Sequence, residues 1–227
     1  MNDTVIAVGN GGYNLAADLI ATGLFPDAQL IICDTNENDL GKNSANATET
    51  FLLEKLRGKV KSGDAHMVDD IVEKASDSVI ICATLGGMTG SKYAPLIALE
   101  AILKGKFVCS LFSMPYGFEG EQKTKRAMNA RMQLIASSNF AVQQNNDRLK
   151  EVESLGLNDI DKPLVETLKS AMKDRTLAEL ANDPKNDALQ KYIPEEYRVK
   201  DLPLVWLRSD TYRGITDEDR KGIFNLY

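Results

Sequence analysis

Histidine is almost missing from this sequence, with one residue in 227, and cysteine is scarce at three. The single imidazole, His66, sits in a polar, loop-like stretch without a partner nearby in the chain, which excludes a histidine-based triad and a histidine-rich metal centre. Cys33, Cys82 and Cys109 are far apart, and each lies in or closes a β-like apolar run (QLIIC, VIICAT, FVCSLF). With no CxxC spacing, they read as buried, inert thiols rather than a redox or metal site. No apolar run approaches the ~20 residues needed to cross a bilayer, so membrane insertion is not expected. The amino terminus, MNDTVIAVG, has no basic region followed by a long apolar stretch and a small-residue cleavage site; it does not read as a secretory signal, and a cytoplasmic location is expected. Positive charge is in deficit, 27 Lys and Arg against 33 Asp and Glu for a net charge of -6. That balance argues against attraction to a phosphate backbone, and no nucleic-acid partner is expected. The one basic run, Lys123, Lys125, Arg126 and Arg131, reads as a solvated helix face.

What is present is an ordinary globular composition, 43% hydrophobic and 26% charged, arranged as short apolar runs alternating with helical patterns. Strands are expected at 4–9, 29–33, 78–84, 106–112 and 140–144. Helices are expected near 12–23, 47–57, 67–76, 91–104, 119–138 and 159–173. Continuously apolar strands separated by helices favour a parallel sheet covered on both faces. The expected class is therefore α/β, three layers, with a mostly parallel sheet. Residues 1–175 carry this alternation and form the main domain. From 176 to 227 it stops, and the stretch is too short to build a core of its own. It is expected to pack on the domain or on a partner, through the apolar cluster Leu202, Leu204, Val205, Trp206 and Leu207, without forming a second full domain.

Two strand-to-helix junctions are rich in glycine. The first strand runs into Gly9-Asn10-Gly11-Gly12-Tyr13-Asn14, and SVIICAT leads to Leu85-Gly86-Gly87-Met88-Thr89-Gly90-Ser91. Glycine at such a turn lets backbone N–H groups converge on an anion, and the positive end of the following helix adds to the attraction. Thr89 and Ser91 add hydroxyl donors. Two such loops at the carboxyl edge of a parallel sheet are suited to a di- or triphosphate. The spacing does not fit a P-loop, because Lys92 follows the serine instead of preceding it.

The second loop with its flanks (VIICATLGGMTGSKYAPLIALEAI) resembles the GGGTGTG signature of the tubulin/FtsZ family. Four further segments match in order: GNGGYNLA at 9–16 resembles the family's first phosphate loop, DTNENDL at 34–40 its NTDxxxL, SMPYGFEG at 113–120 its RPFxFEG, and QNNDRL at 144–149 its PNDxL. The resemblance spans about residues 4–173 and implies a nucleotide-binding domain for GTP or GDP with Mg²⁺. It implies that Gly11, Gly12, Gly86, Gly87, Thr89 and Gly90 hold phosphates, with Gly9 and Ser91 in the same loops. Asn14 is placed near the nucleotide, Glu119 at the ribose and Asn146 at the guanine. Aligning LNDIDKPLVETLKSAM with the family's central helix puts Glu166 where the family has a base-binding aspartate, and glutamate can accept from the same guanine N–H groups.

The chain also departs from the family. Met88 and Lys92 replace glycines in the second loop, as Asn10 and Tyr13 do in the first, and Lys123 stands near a family arginine, offering charge without a two-pronged guanidinium. The family's water-polarising carboxylates come from a loop after the central helix. The matching stretch here, NDPKNDALQK, offers Asn182, Asp183, Asn186 and Asp187 without the NxDxxD spacing, and the family's second domain has no counterpart. The resemblance thus implies a guanine-nucleotide-binding protein that associates with itself or with a protein partner and hydrolyses GTP weakly or not at all alone; no catalytic residue is assigned. Two other readings stay open. One is an interaction module of the same fold in which Met88, Tyr13 and Asn10 fill the former nucleotide site. The other is a dinucleotide-binding oxidoreductase, supported by GNGGYN after the first strand and Asp34 at the end of the second.

Overall fold

The computed structural model describes residues 3–55, 62–152, 155–156, 159–173, 175–181, 191–198 and 202–207. Their strands are β1 (Asp3–Val8), β2 (Gln29–Asp34), β3 (Glu49–Leu52), β4 (Ser78–Thr84), β5 (Phe107–Met114), β6 (Phe140–Asn145) and β7 (Pro203–Leu207). The helices are α1 (Gly9–Ala21), α2 (Glu37–Asn43), α3 (Ser62–Lys74), α4 (Met88–Leu103), α5 (Glu121–Ala136), α6 (Lys162–Ala171) and α7 (Leu177–Ala181). One seven-stranded sheet runs in the order β3-β2-β1-β4-β5-β6-β7. The first six strands are parallel to their neighbours, and β7 joins β6 antiparallel.

Strands β1, β4, β5 and β6 are buried almost throughout, which is why each reads as an unbroken apolar run; a strand covered on both faces has no polar side to alternate with. Successive residues nevertheless serve opposite layers. Val5, Ala7, Ile80, Cys82, Cys109 and Leu111 pack with Leu15 and Leu19 of α1 and Leu164 and Leu168 of α6. Ile6, Val8, Ile81, Ala83, Val108 and Phe112 pack with residues of α3, α4 and α5. The three-layer, mostly parallel α/β class is what the structure has, and all three cysteines are fully buried thiols.

Three local expectations need correction. The helix expected near 47–57 is in its described part the strand β3, paired with β2 at the sheet edge. Its residues alternate between intermediate and exposed, so it lacks the buried apolar run that marks the inner strands, while Thr50 and Phe51 suit an extended backbone. His66 lies on α3, exposed, and not in a loop. The alternation also does not end at 175, because α7 and β7 follow.

The described residues of 176–227 join the same core. Leu177, Leu180, Tyr192, Ile193, Tyr197, Leu202 and Val205 are buried in the cluster that holds α1 and α6. The Leu202 carbonyl accepts from the Asn145 N–H at 2.8 Å, and β7 covers what would otherwise be the open edge of β6. Leu202 is fully buried, so Leu202→Ala is expected to cost about 2–5 kcal/mol in urea unfolding; a loss below about 1 kcal/mol, the ordinary range for a surface change, would mean that this segment is not integral to the fold.

Candidate functional site

The sheet order reverses direction between β1 and β4. From β1 the chain moves through α1 to β2 on one side, and from β4 it moves through α4 to β5 on the other. Helices α1 and α4 lie on opposite faces, so the carboxyl ends of β1 and β4 open a crevice between two helix amino termini. Both glycine-rich loops sit there. A Cβ added at Gly9 would lie 3.3 Å from Thr89 Cβ and 3.7 Å from the Gly90 nitrogen, which brings the first loop against the second.

The glycines have different reasons to be glycine. Gly9 and Gly86 take φ of 78° and 97°, a left-handed backbone in which other residues are strained. Gly11, Gly12 and Gly90 have ordinary φ but no room. A Cβ on Gly12 would run into the Cys82 carbonyl, one on Gly90 into the Thr84 carbonyl, and one on Gly11 into the Thr84 side chain. These three let α1 and α4 press their first turns onto the end of β4. Gly87 is exposed and open, with nothing within 4 Å of its added Cβ.

Neither helix end is capped. Val8 before α1 and Gly87 before α4 provide no side-chain cap, and neither helix has an acidic residue in its first turn. By contrast, α2 is capped by the Asn36 side chain and carries Glu37 and Asp39 in its first turn. Uncapped first-turn N–H groups need an acceptor, and a phosphate meets that need while being drawn by both helix dipoles.

Each loop at the carboxyl edge is tied to the next. Thr35 and Thr89 share a hydrogen bond of 2.7 Å, and Thr89 Oγ1 lies 3.4 Å from Asp34 Oδ1, which also accepts from the Asn36 N–H at 3.0 Å. Gly86 abuts Pro115, 3.1 Å from an added Cβ, and its N–H donates to Ser91 Oγ at 2.8 Å. Ser91 thus braces the second loop from within. The Gly117 N–H donates to Asp147 Oδ1 at 2.9 Å. Gln144 Nε2 donates both to Asn146 Oδ1 at 3.0 Å and to the Ile160 carbonyl at 2.7 Å, linking the end of β6 to the start of α6.

Glu119 accepts from the Tyr116 N–H at 2.8 Å and from Lys123 Nζ at 2.9 Å. The lysine hydrogen bond, with the backbone one, holds its carboxyl below the usual range, so it stays ionised and fixed at the mouth of the β5–α5 turn. Tyr116 stacks on exposed Phe118 with ring centroids 5.0 Å apart. Asn14 is exposed on the second turn of α1. Glu166 pairs along its own helix with Lys169 at 3.3 Å; among the described residues it shares no hydrogen bond with Asn146 or Glu119. Asn182, Asp183, Asn186 and Asp187 lie outside the described residues.

Two features were not singled out from sequence. Asp161, at the start of α6, is buried, and burial, reinforced by the negative charge of Asp18 on α1, pushes its carboxyl up to about 6. Its charge is also felt at Tyr116, where burial and the charges of Glu119 and Asp147 act too. Nothing in the string DIDKP distinguishes a buried aspartate from a surface helix cap. Arg126 belonged to a basic run expected to face solvent, yet Nη1 donates to the Gly86 carbonyl at 2.6 Å. Arg131 likewise turns to Gln143 and Lys123 to Glu119, so three of the four cations have specific partners.

The model of the Tubulin/FtsZ family, GTPase domain, matches residues 4–154. The cell division protein FtsZ of Mycoplasmopsis pulmonis (strain UAB CTIP) is 31% identical over 160 residues, which cover 66% of this chain and 40% of that protein. Among solved structures, an FtsZ dimer of M. jannaschii superposes with a TM-score of 0.61 at 23% identity, covering 76% of this chain and 54% of that one. A GTPγS-bound protofilament of CetZ2 from Haloferax volcanii gives 0.57 at 21%, covering 80% and 58%. The chain therefore spans roughly half the length of the proteins it matches.

Two measurements test this geometry. Because a methyl group at Gly12 meets a backbone carbonyl that cannot turn aside, Gly12→Ala should destabilise by about 1–3 kcal/mol in chemical denaturation; an unchanged midpoint would refute the close contact with β4. Asp161 is protonated in both states below about pH 4. As the pH rises through about 6 the folded protein must bury a charge that the unfolded chain ionises freely, and that contribution to stability is lost. Asp161→Asn should thus gain on the wild type as pH rises from 4 to 7, reaching about 2 kcal/mol; a difference that stays flat with pH would contradict the burial.

Proposed function

Since the chain belongs to the tubulin/FtsZ family through its GTPase domain, we propose that it binds GTP or GDP at the crevice between β1 and β4. The observation that carries this reading is the convergence there of two uncapped helix amino termini, with Gly9 in left-handed backbone against Thr89. In this reading Gly9, Gly11, Gly12, Gly86, Gly87, Thr89, Gly90 and Ser91 form the phosphate cradle. Glu119 meets the ribose, Asn146 and Glu166 meet the guanine, and Asn14 lies beside the nucleotide. Mg²⁺ would neutralise phosphate charge; among the described residues no group of three or more His, Cys, Asp or Glu is placed to hold a metal, so phosphate oxygens and water would supply most of its ligands. Thr35, Thr89 and Asp34 are oxygen-bearing side chains gathered beside the second loop.

Three of the residues that depart from the family pattern are turned outward or into the core. Asn10 is exposed and accepts a hydrogen bond from Asn43 at 3.1 Å. Met88 is 48% exposed, and Tyr13 packs partly into the core. These positions speak against an interaction module with a filled site. Asp34, which a dinucleotide enzyme would keep free for a ribose, is buried and accepts from its own loop.

Self-association is part of the same proposal, since the neighbours in fold include an FtsZ dimer and a CetZ2 protofilament. Turnover by this chain alone is proposed to be slow or absent: the carboxylates at 182–187 lack the family's spacing, and poorly oriented water loses orders of magnitude in rate.

Thermal unfolding with Mg²⁺ alone and then with GTP, GDP, ATP or NAD tests the reading. A guanine nucleotide at a hundred times its dissociation constant stabilises by about 2.7 kcal/mol, a rise in Tm of several degrees that ATP and NAD should not produce. No shift with any nucleotide would overturn the proposal in favour of the interaction module, and a shift with NAD alone would restore the oxidoreductase.

A further inference from the structure

The second glycine loop is held from both sides of one residue. The Gly86 N–H donates inward to Ser91 Oγ on α4 at 2.8 Å, and the Gly86 carbonyl accepts from Arg126 Nη1 on α5 at 2.6 Å. Just before it, the Leu85 N–H donates to the Ser113 carbonyl on β5 at 2.9 Å. Gly86 itself is buried in left-handed backbone against Pro115. The carbonyl that Arg126 grips belongs to the peptide unit that also carries the Gly87 N–H. In a planar trans peptide those two groups point in opposite directions. Drawing the carbonyl toward α5 therefore turns the Gly87 N–H away from α5, and the bond to a cation polarises the unit and strengthens that N–H as a donor. Gly87 is exposed, nothing lies within 4 Å of its added Cβ, and its N–H has no hydrogen-bond partner among the described residues.

The other cation one turn earlier on α5 is committed elsewhere, because Lys123 is bound to Glu119. Lys125, between them in sequence, is exposed. Arg126 is thus the charge that α5 brings to the loop, and the remaining N–H groups of its guanidinium keep a positive field beside it.

We propose that Arg126 is the positioning residue of the anion site: by holding the Gly86 carbonyl it aims the Gly87 N–H at the phosphates of a bound nucleoside di- or triphosphate. This rests on the nucleotide-binding reading above and adds a residue outside both glycine loops. Arg126 acts through the loop, so its loss should be felt by phosphate and not by the nucleoside.

The test compares wild type, Arg126→Ala, Arg126→Lys and Lys125→Ala in binding GDP and guanosine, with thermal unfolding in the absence of ligand to establish that each variant is folded. Arg126→Ala should weaken GDP about tenfold, the loss expected for one charge-assisted hydrogen bond, and leave guanosine within about twofold. Arg126→Lys should recover most of the GDP affinity, and Lys125→Ala, which removes the same charge from the same helix, should keep it. In the nucleotide-free protein the Gly87 amide resonance should move in Arg126→Ala and stay in place in Lys125→Ala. The inference is overturned if the wild type binds GDP and Arg126→Ala binds it equally well. Parallel losses of GDP and guanosine would overturn it too, as would equal losses in Arg126→Ala and Lys125→Ala. A wild type that binds neither GDP nor GTP overturns the nucleotide reading, and the inference with it.

Discussion

Everything at the carboxyl edge depends on how closely two helices approach the end of one strand. The first turns of α1 and α4 rest on the end of β4, Gly12 and Gly90 against the Cys82 and Thr84 carbonyls and Gly11 against the Thr84 side chain, with only hydrogen atoms on the helix side. The contact is made from opposite faces of the sheet, since α1 packs with one layer and α4 with the other. Two helix amino termini can converge on one point only in this way, and only where the strand order changes direction, between β1 and β4. A methyl group on any of these glycines would hold a helix off the strand or displace β4 itself, and interiors packed at crystal-like density have little slack for either.

That convergence sets the electrostatics. The chain as a whole is acidic, with a net charge of -6, yet the first turns of α1 and α4 carry no carboxylate and no side-chain cap. Partial positive charge is therefore left unmatched where these two helix ends meet, on a protein that is acidic as a whole. Around it the acidic groups are differentiated. Glu119 is kept ionised by Lys123 and the Tyr116 N–H, whereas Asp161 is pushed toward its neutral form by burial and by Asp18. Burial, and after it the charges of both carboxylates with that of Asp147, raise the Tyr116 hydroxyl above its ordinary value. Arg126 adds a cation that is tied directly to the backbone of the second loop.

The carboxyl-terminal segment shows that a short stretch without its own alternation can still be structural. Residues such as Leu177, Tyr192 and Leu202 complete the layer that contains α1 and α6, and β7 supplies hydrogen-bond partners to β6. A parallel sheet whose last strand was left open would present unpaired N–H and C=O groups to other chains. Here the antiparallel strand takes that position.

The inner strands and the helices α1, α3, α4, α5 and α6 were legible in the sequence, though α2 was not, because burial on both faces leaves a continuous apolar run, and a glycine cluster at a strand-to-helix turn is local chemistry. The same holds for the family resemblance, which lies in five short segments in order and needs no coordinates. The edge strand β3 was not legible: half-exposed, it carries no run of its own, and its extended form comes from pairing with β2. The site divides along the same line. That residues 86 to 90 form a glycine-rich turn between a strand and a helix is written in their spacing, but which glycines answer to backbone conformation and which to the closeness of β4 depends on partners some 6 to 80 positions away in the chain. Arg126 and Asp161 could be seen as letters and not as functions, because a side chain's burial and its partner across the fold are properties of packing. Composition, periodicity and local glycine clusters determined the layers and the two glycine loops; only tertiary structure decided the strand order and which groups meet, since those contacts join residues that sequence keeps far apart.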